Sequence, residues 1–252
     1  MFRAIRSALL LIALVAASQV TTAHAGEPVD LLLVLAADVS RSVEQPKFVL
    51  QRQGYAAALS NPRVIETIQG GPHGRIALCF VEWSGSMNQK LVIDWTAIGD
   101  AETARQFSDK MLAAPRSFAD RTSISGGIDF ALKQFDRAPY EGGRKTIDVS
   151  GDGTNNSGRD VTDARDEAVA KGVTINGLVI LSEKPMPLNP EHTHPPGGLD
   201  NYYRKNVVGG PAAFVMVAED FNSFGQAIIN KLIAEIAQTA PSRHAALSQH
   251  GR

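Results

Sequence analysis

Between residues 29 and 37 apolar side chains run almost without a break, bounded by Pro28 and Asp38. A run this short and continuous predicts a β-strand buried on both faces, since a strand with one wet face would alternate. Pro46 suits the first turn of a helix, and Phe48, Val49, Tyr55, Ala56 and Leu59 recur at helical spacing until Asn61-Pro62 ends the pattern. Strand followed by helix makes a first α/β unit.

Residues 75–83 and 89–95 are β-prone and are joined by the polar turn Gly85-Ser86-Met87-Asn88. That turn has hairpin length, so the second run is expected as an antiparallel edge strand. Residues 101–113 predict a helix, and Ile124, Ile128, Leu132 and Phe135 form the apolar stripe of another, with Gly126 and Gly127 permitting close backbone approach. A short strand at 145–150 enters Gly151-Asp152-Gly153. Asp160 then caps a helix through Lys171, Gly172 ends it, and 173–181 is the next buried strand. Residues 182–211 are rich in Pro and Gly, with one helical turn expected around Tyr202. A last strand at 213–218 precedes a helix whose stripe is Phe221, Phe224, Ile228, Leu232 and Ile236. There is no internal repeat. This alternation predicts a doubly wound α/β fold of Rossmann type, with a mostly parallel six-stranded sheet, one antiparallel edge strand and helices on both faces.

The ends of the chain change the picture of where it works. Arg3 and Arg6, an apolar run from 8 to 17 and the small-x-small ending Ala23-His24-Ala25 have the order of a secretory signal peptide. The run is shorter than the roughly 20 residues of a membrane-spanning helix, so cleavage after Ala25 is expected, with no stable membrane anchor. The expected organisation is a signal peptide at 1–25, a folded domain at 26–238 and a polar, disordered tail at 239–252, located in the periplasm or secreted. Losing Arg3 and Arg6 moves the formal charge from −1 to −3, which leaves no basic footprint for nucleic acid. Cys79 is the single cysteine, so no intrachain disulfide stabilises the fold.

In open parallel sheets, ligands sit beyond the carboxyl ends of the strands where the winding direction reverses. Three loops reach that edge: Asp38-Val39-Ser40-Arg41-Ser42, Arg121-Thr122-Ser123 and Gly151-Asp152-Gly153. All three offer oxygen. Two carboxylates with three hydroxyls are hard donors suited to Mg²⁺, with Mn²⁺ or Ca²⁺ as alternatives, and these loops lack the Cys or His of a softer site. Asp38, Ser40 and Ser42 alternate along the chain, so one short loop can present several oxygens to one side. With only two formal negative charges beside it, a divalent ion would keep net affinity for a further anion.

The order Asp-x-Ser-x-Ser, then Thr122 ahead of a helix, then Asp152-Gly153 at a strand end resembles the metal-ion-dependent adhesion site of von Willebrand factor A domains. Nearly the whole chain after residue 25 fits that pattern, and more narrowly it resembles a family of exported bacterial proteins of unassigned function. The resemblance implies that Ser40 and Ser42 coordinate the ion directly, that Asp38 and Asp152 act directly or through water, and that Thr122 joins according to conformational state. A Glu or Asp carboxylate of a partner protein would complete the coordination. Arg41 stands where many relatives have Gly, and Ser150-Gly151 precedes Asp152 where a Thr is commoner.

Other readings make different demands. Ser42 with Gln45 could simply be a capping box. His192 and His194 beside Glu191 resemble zinc ligands, but alternating histidines supply too few fixed donors, so a flexible proline-rich loop is expected there. The Tyr202-Tyr203 pair either packs that loop or stays exposed as a contact. Gly151 to Asn156 resembles the metal motif of haloacid dehalogenase-type phosphatases, whose nucleophilic Asp is followed two positions later by an acid; here that position is Ser40, a poor proton carrier. No Gly-x-Ser-x-Gly elbow is present for serine hydrolysis. A structural subunit with a purely stabilising ion remains as the third class. The expected function is therefore a non-enzymatic binding module that takes no small-molecule substrate.

Overall fold

The computed structural model describes residues 26–238. The signal-peptide and tail expectations lie outside them. Eight strands appear in chain order: β1 (Glu27–Val29), β2 (Leu32–Asp38), β3 (Ile76–Trp83), β4 (Gln89–Ile98), β5 (Tyr140–Gly142), β6 (Lys145–Gly151), β7 (Thr174–Ile180) and β8 (Val215–Ala218). The helices are α1 (Gln45–Leu59), α2 (Pro62–Gln69), α3 (Ala101–Ala113), α4 (Ile124–Gln134), α5 (Val161–Ala170), α6 (Pro190–Thr193), α7 (Leu199–Asn206) and α8 (Phe224–Ala237). The main sheet runs β4-β3-β2-β6-β7-β8, parallel throughout except for the β3–β4 pair. This is the doubly wound sheet with an antiparallel edge that the hydrophobic pattern predicts.

The continuous apolar run of β2 has a direct cause. Its alternate residues serve two cores: Leu33, Leu35 and Ala37 pack with Tyr55, Phe107, Phe224 and Leu232 on one face. Leu32, Val34 and Ala36 pack with Ile124, Ile128, Ala164 and Tyr203 on the other. A strand flanked by helices on both sides can expose neither set, which is why no alternation survives. Cys79, also central, is buried, and burial pushes its thiol up out of the reactive range.

Three local departures have physical reasons. Asn61-Pro62 ends α1 as expected, yet the same two residues start α2: Asn61 accepts from Arg63 N and Pro62 takes the first helical position. The first apolar run is split, because Asp30 accepts from His73 N and Arg75 N and separates β1 from β2. β1 then pairs in parallel with β5, forming a second, two-stranded sheet. Residues 182–211 are not one loose loop. They contain α6 and the two-turn α7, and Tyr203 is fully buried against the sheet. Among the described residues no helix is long and apolar enough to cross a membrane.

Candidate metal centre

β2 pairs with β3 on one side and β6 on the other, so the winding direction reverses between β2 and β6. Asp38 ends β2 and Asp152 immediately follows β6, which places both carboxylates at the switch point. Both are buried, 0% and 1% exposed.

The Asp38 loop is held by its own first turn and by neighbours. Ser40 N donates to Asp38 Oδ1 at 2.7 Å, while Arg116 donates from Nη2 to Val39 O at 2.7 Å and Ser40 O at 2.8 Å. Val39 N donates to Trp83 O, and Gln51 Nε2 to Asp38 O. These anchors leave the hydroxyls free to gather. Ser40 Oγ lies 3.1 Å from Ser42 Oγ, and Ser42 Oγ donates to Asp152 Oδ1 at 2.5 Å. Arg41 N donates to Asp120 O, and the Arg41 side chain turns outward to pair with Asp120 Oδ1 at 3.1 Å, so its charge lies at the rim and is locally matched. Ser150 is buried and bonded to the Tyr55 hydroxyl at 2.8 Å, a structural role. Ser42 does not cap α1: Glu44 occupies the cap position without a side-chain bond there.

Thr122 is brought to the same edge by a different route. Its N donates to Asn156 Oδ1 at 2.9 Å, and Asn156 N donates back to Thr122 O at 2.8 Å. Ser123 and Ser125, chemically similar, are occupied elsewhere: Ser123 Oγ accepts from Gly126 N as the cap of α4, and Ser125 bonds Asn155 Oδ1. Thr122 Oγ1 meets His192 Nε2 at 3.2 Å. His192, expected in a flexible loop, is instead 3% exposed and stacked on Gly153, where any Cβ would collide with its ring. Tyr203 OH reaches Gly153 O at 3.4 Å. Asn155, Asn156, His192 and Tyr203 are thus supports whose roles the sequence does not assign; that of His192 depends on where the 182–198 segment packs.

The electrostatics are those of a site short of positive charge. Asp38 Oδ2 and Asp152 Oδ2 are buried without a hydrogen-bond donor. Burial, reinforced by the Asp152 charge, pushes the Asp38 carboxyl up to about 8. Burial raises Asp152 as well, against the opposing effects of Ser42 and Lys47. Lys47 lies beside Asp152, with Nζ 3.9 Å from Oδ2 and bonded to Ser42 O, and the Arg116 charge acts on Asp38 while its guanidinium is committed to the carbonyls of Val39 and Ser40. An orphaned buried carboxylate oxygen costs roughly several kcal/mol of lost hydration unless a proton or a cation is supplied. Among the described residues no three Asp, Glu, His or Cys side chains gather as a metal cluster. Any ion here would therefore need the Ser and Thr hydroxyls, a donor set that fits a hard divalent cation.

Residues 28–240 match the model of a family described as a protein of unknown function, DUF1194. No curated protein matches the chain. Among solved structures it is similar to proximal thread matrix protein 1 from the mussel byssus, with a TM-score of 0.59 and 14% identity over 84% of this chain and 49% of that one. Another structure of that protein has a zinc-occupied MIDAS motif. The pilus adhesin SpaC from Lactobacillus rhamnosus GG gives a TM-score of 0.57 and 12% identity over 84% of this chain and 31% of that chain. A von Willebrand factor type A protein from Catenulispora acidiphila gives 0.51 and 15% over 83% and 42%. The chain spans half or less of the length of each. At these identities the likeness shows the fold, which is of von Willebrand factor A type.

Proposed function

The chain belongs to the DUF1194 family, and from the site on its von Willebrand factor A-type fold we propose that it is an exported, non-enzymatic binding module that recognises a partner protein's carboxylate through a divalent ion. The observation that carries this reading is the pair of buried oxygens without a hydrogen-bond donor, Asp38 Oδ2 and Asp152 Oδ2, beside the linked Ser40 and Ser42 hydroxyls. Asp38, Ser40, Ser42 and Asp152, with Thr122 at the edge, would hold the ion. Mg²⁺ suits these oxygens best, with Mn²⁺ or Ca²⁺ as alternatives. When bound, the ion supplies a positive charge that two carboxylates do not exhaust, so a partner's Glu or Asp is attracted.

The protein's own residues do the rest. Arg116 and Gln51 hold the first loop by its carbonyls, Asn156 ties the Thr122 peptide to the Asp152 loop, and the hydroxyls are presented without side-chain freedom to lose. Ser42 is the only half-exposed member of the set, so a partner would approach over Ser42 and the neighbouring Lys47. The byssus protein with zinc in its MIDAS motif and the pilus adhesin support an adhesion-type role on this fold. The signal-peptide pattern of residues 1–25 supports export, with 26–238 as the working domain.

A phosphatase reading loses support from the amides of Asn155 and Asn156, which are committed to Ser125, Thr122 and Arg159. The burial of Asp38, Ser40, Thr122 and Asp152 favours one rival, an ion that only orders the loops. Calorimetric titration of the chelator-stripped full chain with Mg²⁺, Mn²⁺ and Ca²⁺, beside Asp38→Ala and Ser40→Ala, tests the ion. Saturable binding lost in both folded variants is expected; a folded parent that binds none of the three overturns the reading. Metal-dependent capture of an exported protein, abolished in Ser40→Ala, separates a binding module from a stabilising ion.

A further inference from the structure

The Asn156 amide fixes the position of a proton on the neighbouring imidazole. Its Oδ1 accepts from Thr122 N at 2.9 Å while its backbone N donates to Thr122 O at 2.8 Å, so the orientation of the amide is set by the Thr122 peptide. The donating end, Nδ2, therefore meets His192 Nδ1 at 3.3 Å. Thr154 Oγ1 lies 3.4 Å from the same nitrogen and can add a second donor. An imidazole that accepts at Nδ1 is neutral and carries its proton on Nε2. Nε2 is the atom 3.2 Å from Thr122 Oγ1, so His192 donates and the Thr122 hydroxyl accepts.

We propose that His192 is a positioning residue that engages a lone pair of Thr122 Oγ1 and so holds this hydroxyl out of direct coordination while the 182–198 segment is packed on the site. This rests on the metal reading above and deepens it. The hydroxyls of Ser40 and Ser42 are linked to each other and to Asp152, whereas among the described residues His192 is the only hydrogen-bond partner of Thr122 Oγ1. A threonine oxygen has two lone pairs; the one that the His192 N–H engages is not offered to a cation, and the positive N–H at the same oxygen weakens the hold of the other. The absence of a three-member Asp, Glu, His and Cys cluster among the described residues argues against the alternative, His192 as a ligand joining Asp38 and Asp152. The latch is built firmly: Thr154 N donates to His192 O at 2.9 Å, and Gly153 leaves room for the ring where a side chain would not.

The test compares Mg²⁺ affinity of the full chain with His192→Phe, which keeps a ring without a donor, with Thr122→Val and with the double variant. His192→Phe is expected to tighten binding about fivefold to tenfold, the worth of roughly one hydrogen bond. The double variant is expected to match Thr122→Val, so that the gain from His192→Phe disappears with the Thr122 hydroxyl. His192→Gln, which restores a donor, is expected to return affinity to that of the parent. A His192→Phe affinity that is unchanged or weaker, or a gain that persists without the Thr122 hydroxyl, overturns the proposal while leaving the metal site standing. Nitrogen-15 NMR of the parent must show the His192 proton on Nε2, and a proton on Nδ1 overturns it without reference to any variant. A folded parent that binds no ion removes the metal reading and this inference together.

Discussion

Ser42 Oγ donates to Asp152 Oδ1 at 2.5 Å, joining two loops that are 110 residues apart in the chain. The bond satisfies one oxygen of a buried carboxylate whose other oxygen has no donor. Ser42→Ala leaves both bare. In chelator the variant should lose about 1–3 kcal/mol of stability, the usual range for a hydrogen bond to a buried carboxylate. Urea unfolding measures this, and because Ser42 is also a proposed ligand, Mg²⁺ affinity should fall by about tenfold in the same protein. A variant as stable as the parent with intact Mg²⁺ binding would remove Ser42 from the site.

Asp38 makes the metal-free protein sensitive to pH. Its carboxyl is raised from an ordinary 3.8 to about 8, first by burial and then by Asp152. Between about pH 4 and pH 8 the folded chain keeps a proton that the unfolded chain has released, so stability falls as pH rises through this window. Asp148, raised to about 7, adds to the same slope. A divalent ion held by Asp38, as proposed, would take the place of its proton, whereas Asp148 is not among the proposed ligands. Melting temperatures in chelator should therefore drop from about pH 5 to pH 8, and the gain from saturating Mg²⁺ should grow over the same range. A gain independent of pH would show that Asp38 carries no proton in the metal-free fold.

Lys47 is the local substitute for a cation, 3.9 Å from Asp152 Oδ2 and one-third exposed. It also lies over the Phe221 ring, which holds its stem near the site. An ammonium here competes with a bound ion through repulsion that solvent screens only in part. Lys47→Met keeps the stem and removes the charge, and should tighten Mg²⁺ by about threefold to tenfold, less at high ionic strength. Calorimetry at two salt concentrations gives both numbers, and weaker binding in the variant would place Lys47 outside the field of the site.

The parts legible from sequence are those that rest on local pattern. Apolar continuity marks β2 because both its faces are covered, and α3 spans the predicted residues 101–113, opening on an Asp100–Thr103 capping box that the structure shows. The ends of β2 and β6, where Asp38 and Asp152 stand, could be read because their apolar runs announce them; that Ser40, Ser42 and Thr122 join them as ion ligands is the proposal. What could not be read depends on contacts far along the chain. Asn61-Pro62 ends one helix and begins the next, and a stop signal hides a start signal of the same residues. The three-residue strands β1 and β5 are too short to show a period. His192 sits in a segment whose composition suggests a loose loop, and only its packing against Thr122 and Gly153 makes it part of the site.

Counting apolar positions also conceals charges placed among them. Lys231 lies in the middle of the stripe that identifies α8, yet it is fully buried, with Nζ 2.7 Å from Asp148 Oδ1 and 2.5 Å from Glu235 Oε1. Asn176 donates to the same Glu235 oxygen at 2.8 Å, so α8 is tied to both β6 and β7 by a polar network inside the core. Two carboxylates share one ammonium there, and burial leaves Asp148 the less satisfied of them. Lys231→Met strands both and should cost about 3–5 kcal/mol, the penalty for breaking a buried ion pair from one side. Adding Asp148→Leu removes one stranded charge and should recover much of that loss, because an apolar pair of similar volume avoids the desolvation that the ions suffer. Denaturant unfolding of the two variants decides it. A single variant as stable as the parent would mean that Lys231 contributes packing alone.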